Sequence, residues 1–181
     1  FKCLCTGENG WQGDTPLHFK GSAFHRVVSG FGCQGGCLNE VKDRGQSIYG
    51  ETFADESFSG KAGKHTGLGC LTMANAGPHT NGSQFFICTG QCKHMDGKHV
   101  VFGRVVSGYE VVRKIDAVGS RQPPFEPSKS VVIADCGVAT TPATGNTPET
   151  TRVHTPESPP TATPSAIHMR KNRQEEAVAF E

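Results

Sequence analysis

Apolar residues in this chain come in short bursts separated by glycine-rich polar stretches, a rhythm of brief strands rather than long helices. The densest burst, Phe85-Phe86-Ile87-Cys88, predicts a strand, and Gly77-Pro78 and Asn81-Gly82 mark turns just before it. Strands are also predicted at Phe24–Val28, Phe31–Cys37, Cys70–Met73, His99–Gly103 and Val131–Ala134. Alternation within the first of these places Phe24, Arg26 and Val28 on one face and His25 and Val27 on the other. Helical spacing is limited to two places. Phe1–Thr6 reads as the end of a helix broken by Gly7, Gly10 and Gly13. Val111, Ile115 and Val118 follow a Ser107–Glu110 capping-box pattern and stop at Gly119. Short strands, glycine turns and few helices predict a mainly β domain, an antiparallel barrel or sandwich.

The pattern fades near Val138. Only one of the 23 glycines lies beyond it, whereas six of the eleven prolines fall between 142 and 164. Trp, Tyr and Phe are absent from there to Phe180, so too little apolar surface remains to order the segment. The expected organisation is a domain over 1–137 and a disordered Thr/Pro-rich tail over 138–181. Within that tail, 169–180 reads as a marginal charged helix.

Charge changes this picture little. A net charge of +1 and a pI near 7.8 give no footprint for nucleic acid or an anionic membrane. No apolar run reaches the roughly 18 residues of a membrane span. The chain starts at Phe1, so it reads as a fragment and an upstream targeting segment stays open. The eight cysteines contain no C-x2-C pair. Cys88, Cys92 and His94 lack a second ligand pair at zinc spacing, so neither metal nor other cofactor is expected. Reduced thiols point to the cytoplasm.

Two stretches invite chemistry. Arg26, between apolar neighbours, either lays its stem on the core with its head in water or aims its guanidinium into a binding surface. Gln34 on the next strand could hold that head. Ala74, Asn75 and Ala76 leave their backbone uncovered to an approaching chain, and Gln84 and Phe86 share one strand face beside it.

The motifs FHRVVSGF, CQGG, SIYG, MANAGP, TNGSQFFIC and DGKHVVFG stand in this order over Phe1 to about Gly137. In that combination the chain resembles the cyclophilin family of peptidyl-prolyl cis-trans isomerases. The resemblance implies an eight-stranded antiparallel β-barrel capped by two helices. Against it, the first two strands and the start of the first helix are missing, and an open sheet edge is expected. It implies catalytic roles for Arg26, Gln34, Phe86 and Asn75, with substrate contacts from His25, Phe31, Met73, Ala74, Ala76, Gln84, Met95 and His99. The implied activity is rotation about Xaa-Pro bonds in protein folding, by a monomer acting on proline-containing polypeptides. A proline-peptide-binding scaffold with little turnover is the alternative.

Several residues depart from the family pattern. Gly32 replaces a common Met, which predicts a looser pocket wall, and Ser29 stands where Pro is common. His94 replaces a frequent Trp, which predicts weak binding of cyclosporin. The loop Leu38–Gln46 is shortened. Gln12–Gly21 resembles the extra loop of divergent-loop members, in which cysteines matching Cys5 and Cys136 can form a redox-linked pair. There Gln46 replaces the glutamate that steadies the loop.

Overall fold

The computed structural model describes residues 1–38, 45–139, 167–171 and 176–180. In chain order the elements are α1 (Lys2–Thr6), β1 (Trp11–Gln12), β2 (Thr15–Pro16), β3 (Arg26–Val28), β4 (Gly32–Gly35), β5 (Cys70–Met73), β6 (Phe85–Cys88), β7 (Val101–Ser107), α2 (Tyr109–Ala117), β8 (Asp135–Val138), β9 (Ile167–Lys171) and β10 (Glu176–Phe180). Strands β1 and β2 form a small hairpin in the extra loop. The other eight make one antiparallel sheet in the order β3-β4-β6-β5-β7-β10-β9-β8. Its outer strands are drawn together upstream of β3 and β8. There the Gly21 and Phe24 N–H groups donate to the Ile133 and Val131 carbonyls at 2.8 and 2.9 Å, and the Ile133 N–H donates to the Ser22 carbonyl at 2.9 Å.

The source of two strands corrects the sequence reading. The chain begins at α1, as expected, but the edge expected to stay open is filled. The hairpin of β9 and β10 sits between β7 and β8, with Ala179 opposite Ser107 and Met169 opposite Cys136. The described parts of the charged helix expected over 169–180, namely 169–171 and 176–180, are therefore strand. Backbone groups on β7 and β8 need partners whatever side chains the partner carries, and Val178 and Phe180, two apart on one face, supply the apolar contact. Residues 140–166, where the proline-rich part of the expected tail falls, lie outside the described residues.

The core is aromatic at its centre. Phe1 packs 5.2, 5.1 and 4.9 Å from the rings of Phe19, Phe85 and Phe102, so the residue that caps α1 also plugs the sheet interior. Phe24 belongs to this core, where its ring lies 6.0 Å from Phe85. It thus leaves the face of Arg26, because regular strand geometry starts only at Arg26 and the alternation does not extend back through His25. The last strand also begins later than predicted, at Asp135, with only a bridge at Val132.

Helix α2 buries Val111, Val112 and Ile115. Its expected capping box does not form: Ser107 is held in the β7 ladder, and Gly108, at φ 80°, turns the chain into the helix. Glu110 still stands in the first turn, where the helix dipole favours a carboxylate.

Candidate active site

Strand register aligns the site. Arg26 on β3 lies opposite Gln34 on β4, Gln34 opposite Phe86 on β6, and Phe86 opposite Thr72 on β5. Directly paired residues project to the same side of a sheet, so this row faces outward together. The neighbouring row, Val27, Cys33, Ile87 and Leu71, faces inward and is buried throughout. One period-two pattern thus builds the core and the groove at once.

Phe86 is the floor, only 5% exposed. Phe31 stacks on it at 6.1 Å and His99 meets it edge-on at 5.6 Å. Met95 and Ala74 pack against the same apolar cluster, which also contains Cys70, Cys88 and Cys92. His94 stacks on Phe31 at 5.5 Å.

At the polar end, Gln34 Nε2 donates to Gln84 Oε1 at 2.7 Å. Gln84 is almost fully buried, so this bond fixes both amides. The expected clamp of Gln34 on Arg26 is replaced by this pairing. The Arg26 guanidinium lies instead over the Phe125 ring, 4.7 Å from its centroid. His25 stands at the rim next to Gln84. Its pKa is lowered, chiefly by loss of water, against the opposing pull of the Ala23 backbone and the Gln84 side chain.

The uncovered stretch is held from below. Ala74 donates its N–H to the Gln84 carbonyl at 3.0 Å, and Ala76 donates to the Thr80 hydroxyl at 2.9 Å. Asn75 Nδ2 donates to the Lys98 carbonyl at 2.8 Å, and its Oδ1 accepts from the Gly77 N–H at 3.3 Å. Its side chain therefore holds the shape of this stretch. A recess of about 460 Å³ opens beside it, lined by Asn75, Pro78, Lys98 and His99 among others.

Met73 does not join the groove. It pairs with core residue Phe85 and lines a separate interior recess with Phe1, Phe19 and Phe102. Its backbone carbonyl, however, lies 2.9 Å from His99 Nδ1 and orients that ring. Burial lowers the His99 pKa, an effect the Met73 carbonyl partly opposes.

Cys5 and Cys136 are both thiols. Burial raises each pKa, that of Cys136 to about 11, and Cys5 also feels the charge of a Cys136 thiolate. Gln46, in the place of the expected glutamate, still reaches the extra loop, its Nε2 donating to Gln12 Oε1 at 2.9 Å.

Sequence reasoning missed three residues here. His65 is buried and lies parallel to Phe86 at 6.3 Å. Its ring is braced between Asp96 Oδ1 at 3.0 Å and Thr72 Oγ1 at 3.2 Å. The period-two signal that singled out Gln84 and Phe86 would have found Thr72 once strand pairing was known. Phe125 lies in a proline-rich loop outside every motif.

A family model described as cyclophilin type peptidyl-prolyl cis-trans isomerase/CLD matches residues 1–138. The groove's apolar floor, its fixed amides and its single guanidinium lie within that span. With the match covering well over half of its length, this chain belongs to the cyclophilin-type peptidyl-prolyl isomerase family and is an enzyme of Xaa-Pro bond rotation.

Proposed function

We propose that Arg26 is the group that drives isomerisation and that the other residues hold the substrate against it. An Xaa-Pro amide twisted halfway loses its resonance, against a barrier of ~18–20 kcal/mol. Its nitrogen becomes pyramidal and gains a lone pair. A guanidinium N–H aimed there stabilises the twisted form more than either planar isomer, which is the requirement for catalysis. Phe86 forms the floor for the proline ring, with Phe31, Met95 and His99 as walls. The backbone of Ala74–Ala76 takes the substrate main chain, and the fixed pair Gln34–Gln84 with His25 bounds the polar end. No covalent step enters this sequence.

The magnitude is within reach of such a site. Uncatalysed isomerisation takes roughly 10–100 s, and shortening it to milliseconds needs about 10^4-fold, on the order of 5–6 kcal/mol. One charge-assisted hydrogen bond made only in the twisted state, together with exclusion of water, supplies energy of that order. The observation carrying this reading is the outward row of Arg26, Gln34 and Phe86, which sets one permanent cation beside an apolar floor.

The proposed client is a proline-containing segment of an unfolded or flexible polypeptide, since the Ala74–Ala76 strip is backbone and selects little by side chain. The thiols at Cys5, Cys33 and Cys88 suit a reducing compartment such as the cytoplasm. The test is an Xaa-Pro peptide assayed by NMR exchange beside Arg26→Ala and Arg26→Lys. The expected loss for Arg26→Ala is about 10^2-fold or more in kcat/KM, with Arg26→Lys between. Equal rates for wild type and Arg26→Ala would defeat the mechanism.

A further inference from the structure

An arginine that must donate to one nitrogen at one moment has to be held, because its side chain has many rotamers to lose. Gln34 does not hold it: its Nε2 donates to Gln84 Oε1, and among the described residues no hydrogen bond joins its own Oε1 to the guanidinium. Among the described residues, no carboxylate forms an ion pair with Arg26. The neighbour in contact is Phe125, whose ring centroid lies 4.7 Å from the guanidinium carbon, inside the range of a cation–π contact.

The loop bearing this ring is fastened to β3 on both sides of the arginine's neighbour. The Val27 N–H donates to the Phe125 carbonyl at 2.9 Å, and the Ser120 N–H donates to the Val27 carbonyl at 3.0 Å. The Ser29 N–H donates to the Ser120 carbonyl at 3.1 Å, and the Ser128 N–H to the Val118 carbonyl at 2.7 Å. Phe125 itself sits at φ 63°, a left-handed conformation that a bulky residue adopts only where its surroundings impose it. It belongs to neither buried apolar cluster. Its backbone bonds to Gln122 and Val27 hold this half-exposed aromatic at that angle, and with no core to fill, its face meets the guanidinium instead.

We infer that Phe125 is a positioning residue for the isomerase reaction, its ring fixing the plane of the Arg26 guanidinium; this rests on Arg26 being the donor to the twisted bond. The aromatic face suits the task better than a carboxylate would. A carboxylate takes up the N–H groups it binds and offsets the charge, whereas a ring holds the guanidinium by its face. The in-plane N–H donors then stay available to the substrate nitrogen.

The experiment is kcat and KM for an Xaa-Pro peptide with the full chain carrying Phe125→Leu, Phe125→Trp, or a ring-fluorinated phenylalanine at 125. Fluorination drains the face of the ring while nearly keeping its shape. Phe125→Leu is expected to lower kcat about 5–10-fold with KM little changed, while Phe125→Trp retains most of the rate. Successive fluorination should lower kcat stepwise. In an Arg26→Ala background, Phe125→Leu should add no further loss. An unchanged kcat across the fluorinated series would overturn the inference, and that series still decides the matter if Phe125→Leu fails to fold in a thermal melt. An undiminished effect of Phe125→Leu without Arg26 would also overturn it. Wild-type activity in Arg26→Ala would bring down the reading of Arg26 itself. A crippled Arg26→Ala beside an unaffected fluorinated series would remove only the role of Phe125.

Discussion

Two imidazoles border the groove, and lost hydration disfavours the charged form of both. The pKa of His25 and of His99 is lowered, so at neutral pH neither imidazole adds a charge beside Arg26, and His99 meets Phe86 as a neutral ring. The sign of the linked stability effect follows. His99 binds its proton less readily in the folded chain than at the free value of roughly 6.5. The unfolded chain therefore takes up the proton first, and stability falls as pH drops from about 6.5 through the lower folded value. Urea unfolding near neutral pH and at about pH 5 should show the native chain losing stability at the lower pH, with the loss smaller in His99→Gln. Equal losses in the two proteins would mean His99 is not a source of the linkage. At this scale much was legible in the sequence. Periodicity predicts the shared face of Gln84 and Phe86, small residue size marks the backbone at Ala74, and Arg26 stands out as a cation between apolar neighbours, although Phe24 does not share its face. Asn75 and Met73 were harder: residue type does not reveal that Asn75 spends its amide on Lys98 and Gly77, or that Met73 turns inward with Phe85.

At the scale of elements, the groove depends on how α2 seats against β3. The Asp116 carboxylate, near the end of α2, accepts from the Gly30 N–H at 2.9 Å in the turn before β4 and from the Thr89 hydroxyl after β6. One helical side chain thus tethers the two turns that flank Phe31. Gly119 completes the seat, because a Cβ there would stand 2.7 Å from Val27 Cγ1 and 2.9 Å from the Val27 carbonyl. The backbone carbonyl cannot give way without moving β3. Gly119→Ala should therefore cost about 1–3 kcal/mol in chemical denaturation and lower isomerase activity as Arg26 shifts. An unchanged midpoint and rate would show that the seat has slack. The helix itself was plain from Val111 and Ile115, but its start was misread. Ser107 and Glu110 match a capping box in sequence, yet ladder bonds claimed Ser107 for β7 first, and a local motif carries no record of that competition.

For the molecule as a whole, the hairpin of β9 and β10 matters most and was hardest to foresee. Strand pairing between distant segments leaves almost no local trace, and the charges from Arg170 to Glu176 pointed to a solvated helix. Only Val178 and Phe180, at alternate positions, mark the buried face. Phe180 is 1% exposed and lies 6.5 Å from Phe1, so the late segment and the first residue meet in one core. Phe180→Ala should cost about 3–5 kcal/mol of unfolding free energy, and removal of 167–181 should abolish a cooperative thermal transition. A sharp transition at the native temperature in the shortened chain would show the hairpin to be dispensable.

That arrangement also sets an order in time. During synthesis β3 to β8 emerge well before the two strands that separate β7 from β8, with the whole stretch 139–166 translated in between. At roughly 5–20 residues per second this interval is on the order of seconds, long compared with the roughly microsecond formation of a hairpin. The nascent sheet must therefore wait with an open seam until the ribosome delivers its last two strands. In this chain the moment at which β7 and β8 are first joined in one sheet is governed by translation rather than by folding.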